Sequence, residues 1–153
     1  MGTDRRRHPD PADRGVDPAR SRRPLTVVDA SVVVEVLWGR GGPGTVTLLA
    51  AQGPLTAPGL IDLEVVSALR RLVLTRQISE ASGRTMLRRD PDLRIARRDH
   101  APLLPRVWEL RHQLTPYDAA YVALAEQEAA VLLTRDARLA AAHGIRCEVR
   151  LVS

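Results

Sequence analysis

Along residues 25–152 the apolar positions fall into two alternating patterns: short runs of consecutive apolar residues, and longer stretches in which they recur every three or four places. The first pattern predicts buried strands and the second predicts amphipathic helices. LTVVD, residues 25–29, is a β-branched run that ends in a carboxylate. ASVVVEVLW continues from it as a helix, which the glycine cluster GRGGPG stops. A short helix is predicted over residues 45–51. LTAP, residues 55–58, reads as a second strand feeding the long helix GLIDLEVVSALRRLVL, and SEASGRTMLRR reads as another helix. DLRIA, residues 92–96, reads as a strand, followed by the helices PLLPRVWELRHQL and LTPYDAAYVALAEQE. VLLT is a buried strand, DARLAAAHG a helix ending in glycine, and CEVRLV a last strand. There is no internal repeat. Short buried strands alternating with helices predict an α/β fold, a mostly parallel sheet covered on both faces.

Four acids break or punctuate this pattern. Asp118 stands on the stripe of Tyr121, Val122 and Ala125, where a helix normally carries an apolar residue. Glu64 lies between Leu60 and Ala68 on the edge of the apolar stripe of its helix. Asp29 closes the first strand, and Asp136 follows VLLT. In open α/β sheets ligands bind at the carboxyl ends of the strands, and at least three of these acids map there. Each also has a capping role open to it. Thr115-x-x-Asp118 is nearly a capping box with Pro116 at the first helical position, Asp136 can cap the helix after it, and Ser31 can cap the helix after Asp29. Capping accounts for these residue types but not for the helix faces on which Asp118 and Glu64 lie. Carboxylates buried together lose hydration and repel one another. A divalent cation reverses that balance, and hard oxygen ligands suit Mg²⁺ or Mn²⁺. His100, His112 and His143 form no cluster and read as surface or capping residues.

Composition narrows the field. At 153 residues with 44% apolar content the chain is long enough for one domain, and it has no apolar run long enough to span a membrane. The single Cys147 makes no internal disulfide and agrees with a reducing cytoplasm. Every basic residue is arginine, and the formal charge is +5. That fits a phosphate-rich partner, and it equally fits GC-rich codon usage. Residues 1–24 hold seven arginines, four aspartates and four prolines with almost no apolar residues, so they are expected to be a disordered tail carrying much of the net charge. The tail either contacts nucleic acid or is a neutral extension. It has no apolar stretch of the kind an export signal needs.

The ordered series VVDASVVVEVL, APGLIDLEVVSALRR, LTPYDAAYVALAEQE and LLTRDARLAAAHGI resembles the PIN-domain ribonucleases, in particular the VapC-type toxins of toxin–antitoxin pairs. The resemblance covers residues 25–153 and leaves out the tail, which is foreign to the family. It implies a three-layer α/β/α domain. It also implies an acidic cluster of Asp29, Glu64, Asp118 and Asp136 around one or two Mg²⁺ or Mn²⁺ ions, with Ser31 and Thr134 at the small hydroxyl positions. The implied reaction is metal-assisted hydrolysis of RNA phosphodiesters, in which the metal lowers the pKa of a water and stabilises charge on the scissile phosphate. A cognate VapB-like antitoxin, a homodimer and a cytoplasmic location come with the resemblance.

Arg70, Arg71, Arg135 and Arg138 either hold substrate phosphates or lie on solvated helix faces. Two other readings share the fold: a PIN-domain RNA-processing nuclease without an antitoxin, and a catalytically silent RNA-binding or scaffold protein. The second predicts a broken acidic set, and here the set is complete. A phosphatase of the haloacid dehalogenase type fits less well, because its first strand should end Asp-x-Asp where this chain has Asp29-Ala30-Ser31.

Overall fold

The computed structural model describes residues 24–39, 49 and 53–152. The expected tail lies outside the described residues except for Pro24, as does the helix expected over 45–51 except for Leu49. Strands β1 (Thr26–Val28), β2 (Leu55–Pro58), β3 (Ala96–Arg98), β4 (Val131–Thr134) and β5 (Val149–Leu151) form one sheet in the order β3-β2-β1-β4-β5. All neighbouring pairs are parallel, with Val28 opposite Leu133 at the centre. Thr26, Val27 and Val28 are all buried although successive side chains point to opposite faces, so β1 is covered on both sides.

Two groups of helices provide that cover. Helix α1 (Ala30–Trp38) packs against α2 (Ile61–Leu74) and α3 (Glu80–Arg89). It ends at Gly39, whose positive φ of 74° lets its N–H reach the Glu35 and Val36 carbonyls. Helix α2 buries Ile61, Val65, Leu69 and Leu72, a stripe at helical spacing that faces the core. Gly83 lets α3 approach α2 closely: a Cβ there would stand 3.2 Å from Val73 Cγ2. On the other side, α5 (Pro116–Gln127) packs against α4 (Leu104–Glu109) and across β1, β2 and β4. Every residue of α5 from Ala119 to Ala125 is buried, which the sheet and α4 together make possible. Each fully buried Val or Leu contributes about 1.5–3 kcal/mol through the hydrophobic effect, so this helix is the main apolar anchor of its side.

The structure shifts or shortens some expected elements. The strand read at residues 92–96 is β3, displaced toward the C-terminus, because Asp90–Leu93 forms a 3₁₀ turn containing Pro91 and Arg94 takes a left-handed φ of 50°. All three β3 residues are exposed. This edge strand is held instead by Arg97, whose guanidinium donates to Asp62 Oδ1, Asp90 Oδ2 and the Ile95 carbonyl. The helix read over 102–114 is a 3₁₀ turn (Ala101–Leu103) and the six residues of α4, after which the chain runs through turns. DARLAAAHG gives only α6 (Ala137–Ala140). Arg106 ties this region together, donating to Glu109, Glu126 and the Gly144 carbonyl. Among the described residues, no helix is long and apolar enough to cross a membrane.

Candidate active site

The parallel register brings the exits of β1 and β4 side by side. Asp29 N–H donates to the Leu133 carbonyl at 2.9 Å, so Asp29 and Thr134, each one residue beyond a paired position, are neighbours. Thr134 Oγ1 donates to Asp29 Oδ2 at 2.7 Å, and Ser31 Oγ donates to the same oxygen at 2.6 Å. Both hydroxyls are themselves oriented by amides leaving β4: Ser31 Oγ accepts from Arg135 N–H at 3.1 Å, and Thr134 Oγ1 accepts from Asp136 N–H at 3.0 Å. A hydroxyl has one proton, so an amide on its lone pair directs that proton to the carboxylate. Ser31 thus bonds the Asp29 carboxylate, and the N-cap of α1 is Asp29, which makes no side-chain cap hydrogen bond.

Glu64 stands half-buried in the first turn of α2, where its Oε2 accepts the Tyr121 hydroxyl at 2.5 Å. Burial raises the Glu64 carboxyl above its ordinary 4.5; the Tyr121 hydrogen bond opposes the rise, and the charges of Asp29 and Asp118 add to it. These three carboxylates thus lie in one field. Burial and the Glu64 carboxylate together push the Tyr121 phenol far above its usual range, so it stays a donor.

Asp118 is half-buried, less enclosed than its place on the apolar stripe suggested. Thr115 Oγ1 caps α5 by accepting Asp118 N–H at 3.2 Å and donates to Asp118 Oδ2 at 2.7 Å. Asp136 caps α6 through Arg138 N–H at 2.8 Å and pairs with the Arg138 guanidinium, which holds its carboxyl below the usual range. Of the four acids, Asp29 and Asp118 both act on Glu64. Asp136 joins through its own N–H on Thr134.

The oxygen-only donor set and the mutual repulsion suit a hard divalent cation, which Asp29, Glu64 and Asp118 could hold with Asp136 alongside. Among the described residues no group of three or more His, Cys, Asp or Glu side chains is arranged around a metal position. Each carboxylate instead closes on a hydroxyl or guanidinium donor of its own.

Of the arginines singled out from sequence, Arg135 pairs with Glu35 and Arg138 with Asp136. Arg70 and Arg71 are exposed and line a cleft of about 550 Å³ that reaches Glu64. His100 is a capping residue, its Nε2 accepting Leu60 N–H at 3.1 Å at the start of α2. His112 and His143 are exposed. Sequence reasoning took Tyr121 for core only. The signal was there, since a buried tyrosine hydroxyl needs a partner. Glu35 was missed too, although a lone acid in ASVVVEVLW stood out.

This fold and site define a PIN domain, and residues 26–144 match the PIN domain family. Ribonuclease VapC1 of Mycobacterium tuberculosis is 48% identical over 128 residues, covering 82% of this chain and 96% of that protein. Ribonuclease VapC9 of the same organism is 37% identical over 128 residues, covering 84% and 98%. The chain belongs to the PIN-domain family and, within it, to the VapC ribonucleases. The crystal structure of VapBC2 from Rickettsia felis, bound to a DNA fragment from its promoter, shares the fold. Its TM-score is 0.63 at 15% identity, covering 84% of this chain and 99% of that one.

Proposed function

We propose that this VapC-type ribonuclease is an endoribonuclease that needs Mg²⁺ or Mn²⁺ and acts in the cytoplasm as the toxin of a toxin–antitoxin pair. One observation carries the metal reading. Asp29 is fixed by two hydroxyls at the joined ends of β1 and β4, in the same field as Asp118 and a Glu64 whose carboxyl is raised. Asp29 and Asp118 would hold the metal, with Glu64 and Asp136 completing the site directly or through water. The bound metal supplies a water of lowered pKa and charge stabilisation on the scissile phosphate.

The chain's own residues do the remaining work. Ser31 and Thr134 bind Asp29 Oδ2 and so leave Oδ1 for the ligand role. Tyr121 does the same for Glu64 by taking Oε2. Arg70 and Arg71 flank the cleft next to Glu64 and are placed to hold backbone phosphates of an RNA strand. Arg135 and Arg138 are already paired with carboxylates and are weaker candidates for that role.

Relatives that carry the VapC name support a VapB-like antitoxin as the partner. A second support is an apolar groove of about 440 Å³ between α2 and α3, lined by Val66, Leu69, Val73, Leu74 and Leu87, which suits one face of an amphipathic helix. A homodimer is part of the same reading.

The test has two arms. RNA cleavage by the purified chain should stop in chelator, return with Mg²⁺ or Mn²⁺, and be absent in Asp29→Asn. Expression of the chain alone should arrest bacterial growth, and Asp29→Asn should relieve the arrest. The same pair of chains starting at Pro24 controls for toxicity of the arginine-rich first residues. Growth arrest that survives Asp29→Asn in that shorter chain would show that the toxicity is not nucleolytic.

A further inference from the structure

Tyr121 is one of four aromatic residues in the chain, two Trp and two Tyr, and its side chain is 1% exposed. Packing alone needs no hydroxyl at such a position. The hydroxyl nevertheless makes a short bond, 2.5 Å, to Glu64 Oε2 across 57 positions of sequence. The phenol therefore links two elements: α5, which carries Asp118, and α2, which carries Glu64. A phenol has one proton, and Tyr121 gives it to Glu64, as Ser31 and Thr134 give theirs to Asp29.

We propose that Tyr121 is a positioning residue that sets metal affinity through Glu64. It occupies Oε2, keeps the carboxylate from turning out of the site, and leaves Oε1 as the one oxygen Glu64 offers to the cation or to a water on it. This rests on the metal reading above. The hydroxyl makes no contact with RNA in this scheme, so its effect should fall on metal binding and pass entirely through Glu64. Outer-shell hydrogen-bond partners of metal ligands act in this way, and their loss typically weakens binding by about 10–100-fold.

The experiment is a double-mutant cycle on the full chain with Tyr121→Phe and Glu64→Gln, read by calorimetric titration with Mn²⁺ and by the rise in Tm on adding Mn²⁺, without RNA. Tyr121→Phe should raise the Mn²⁺ midpoint about tenfold, and Glu64→Gln should raise it at least as much. Adding Tyr121→Phe to Glu64→Gln should change the midpoint no further. A wild-type response that Tyr121→Phe shares unchanged would overturn the proposal, as would full additivity in the double variant. A wild-type chain with no Mn²⁺ response would overturn the metal reading and this proposal with it. Should Tyr121→Phe alone fail to fold, the double variant, which removes hydroxyl and carboxylate together, should recover the fold. A double variant as unstable as Tyr121→Phe would locate the defect in ring packing and reject the link to Glu64.

Discussion

Thr134 gives its hydroxyl proton to Asp29 Oδ2 at 2.7 Å across 105 positions of sequence. The contact exists because β4 lies parallel to β1 with Leu133 opposite Val28, so the residues leaving the two strands meet. Thr134 is fully buried and also accepts the Asp136 amide, so a single hydroxyl connects two of the four acids.

Removing that hydroxyl at constant shape should therefore cost both stability and activity. Thr134→Val is expected to lower stability by about 1–2 kcal/mol, because it leaves the Asp136 amide without its partner and Asp29 Oδ2 with the Ser31 hydroxyl alone. Cleavage should fall about tenfold or more, as when an outer-shell partner is lost, while Thr134→Ser should retain most of both. Denaturant melts and RNA-cleavage rates on the two variants test this. Equal losses in Val and Ser would mean that the methyl group, not the hydroxyl, matters.

Asp118→Asn should separate chemistry from folding. It should abolish cleavage, yet in chelator its Tm should match or slightly exceed that of the wild type. The amide oxygen can still accept the Thr115 hydroxyl, and one of the charges that raise the Glu64 carboxyl is gone. A large drop in metal-free Tm would instead make Asp118 chiefly a helix-capping residue.

The raised Glu64 carboxyl predicts a pH dependence with a definite sign. Burial is its largest cause, so the folded state binds this proton more tightly than the unfolded state does. The contribution of Glu64 to stability is then fully present on the acid side and is lost as pH rises from its ordinary 4.5 through the folded value. In chelator, wild-type stability relative to Glu64→Gln should decline over that window, and saturating Mn²⁺ should reduce the decline. Denaturation midpoints at a series of pH values give the comparison, and a flat difference would refute it.

Arg97 should behave as a structural staple remote from the chemistry. Arg97→Ala leaves the buried Asp90 carboxylate without its guanidinium and frees the edge strand, at an expected cost of about 1–3 kcal/mol. Arg97→Lys should recover little, since one ammonium cannot reproduce a fork that serves two carboxylates and a carbonyl. Amide exchange should accelerate in β3 while β1 stays protected. Unchanged protection of Ala96 to Arg98 in the alanine variant would contradict this account.

How much of this was legible follows from what kind of force built each part. VVD and VLLT are central strands buried on both faces, so they are written as unbroken apolar runs. The α2 stripe is equally plain, because one helix face packs inward. β3 was misplaced by a few residues because an exposed edge strand held by Arg97 leaves no apolar trace. The helices after β3 and β4 were read too long because arginine, leucine and alanine favour helix wherever they occur, while the turns that end these helices are set by packing and by Arg106 bonding distant carboxylates.

The sequence by itself determined the parallel α/β layout and the acids at the strand exits, since periodicity and residue type are local properties of the chain. Only the tertiary structure decided which groups act on those acids. It placed Thr134 on Asp29 and the Tyr121 hydroxyl on Glu64, turned Asp136 onto Arg138, and left Asp118 half-buried. Those relations depend on the register between β1 and β4 and on the packing of α5 near α2, and they join residues up to 105 positions apart. No local pattern encodes a contact at that separation, because it is fixed only when the whole sheet and its helices are assembled.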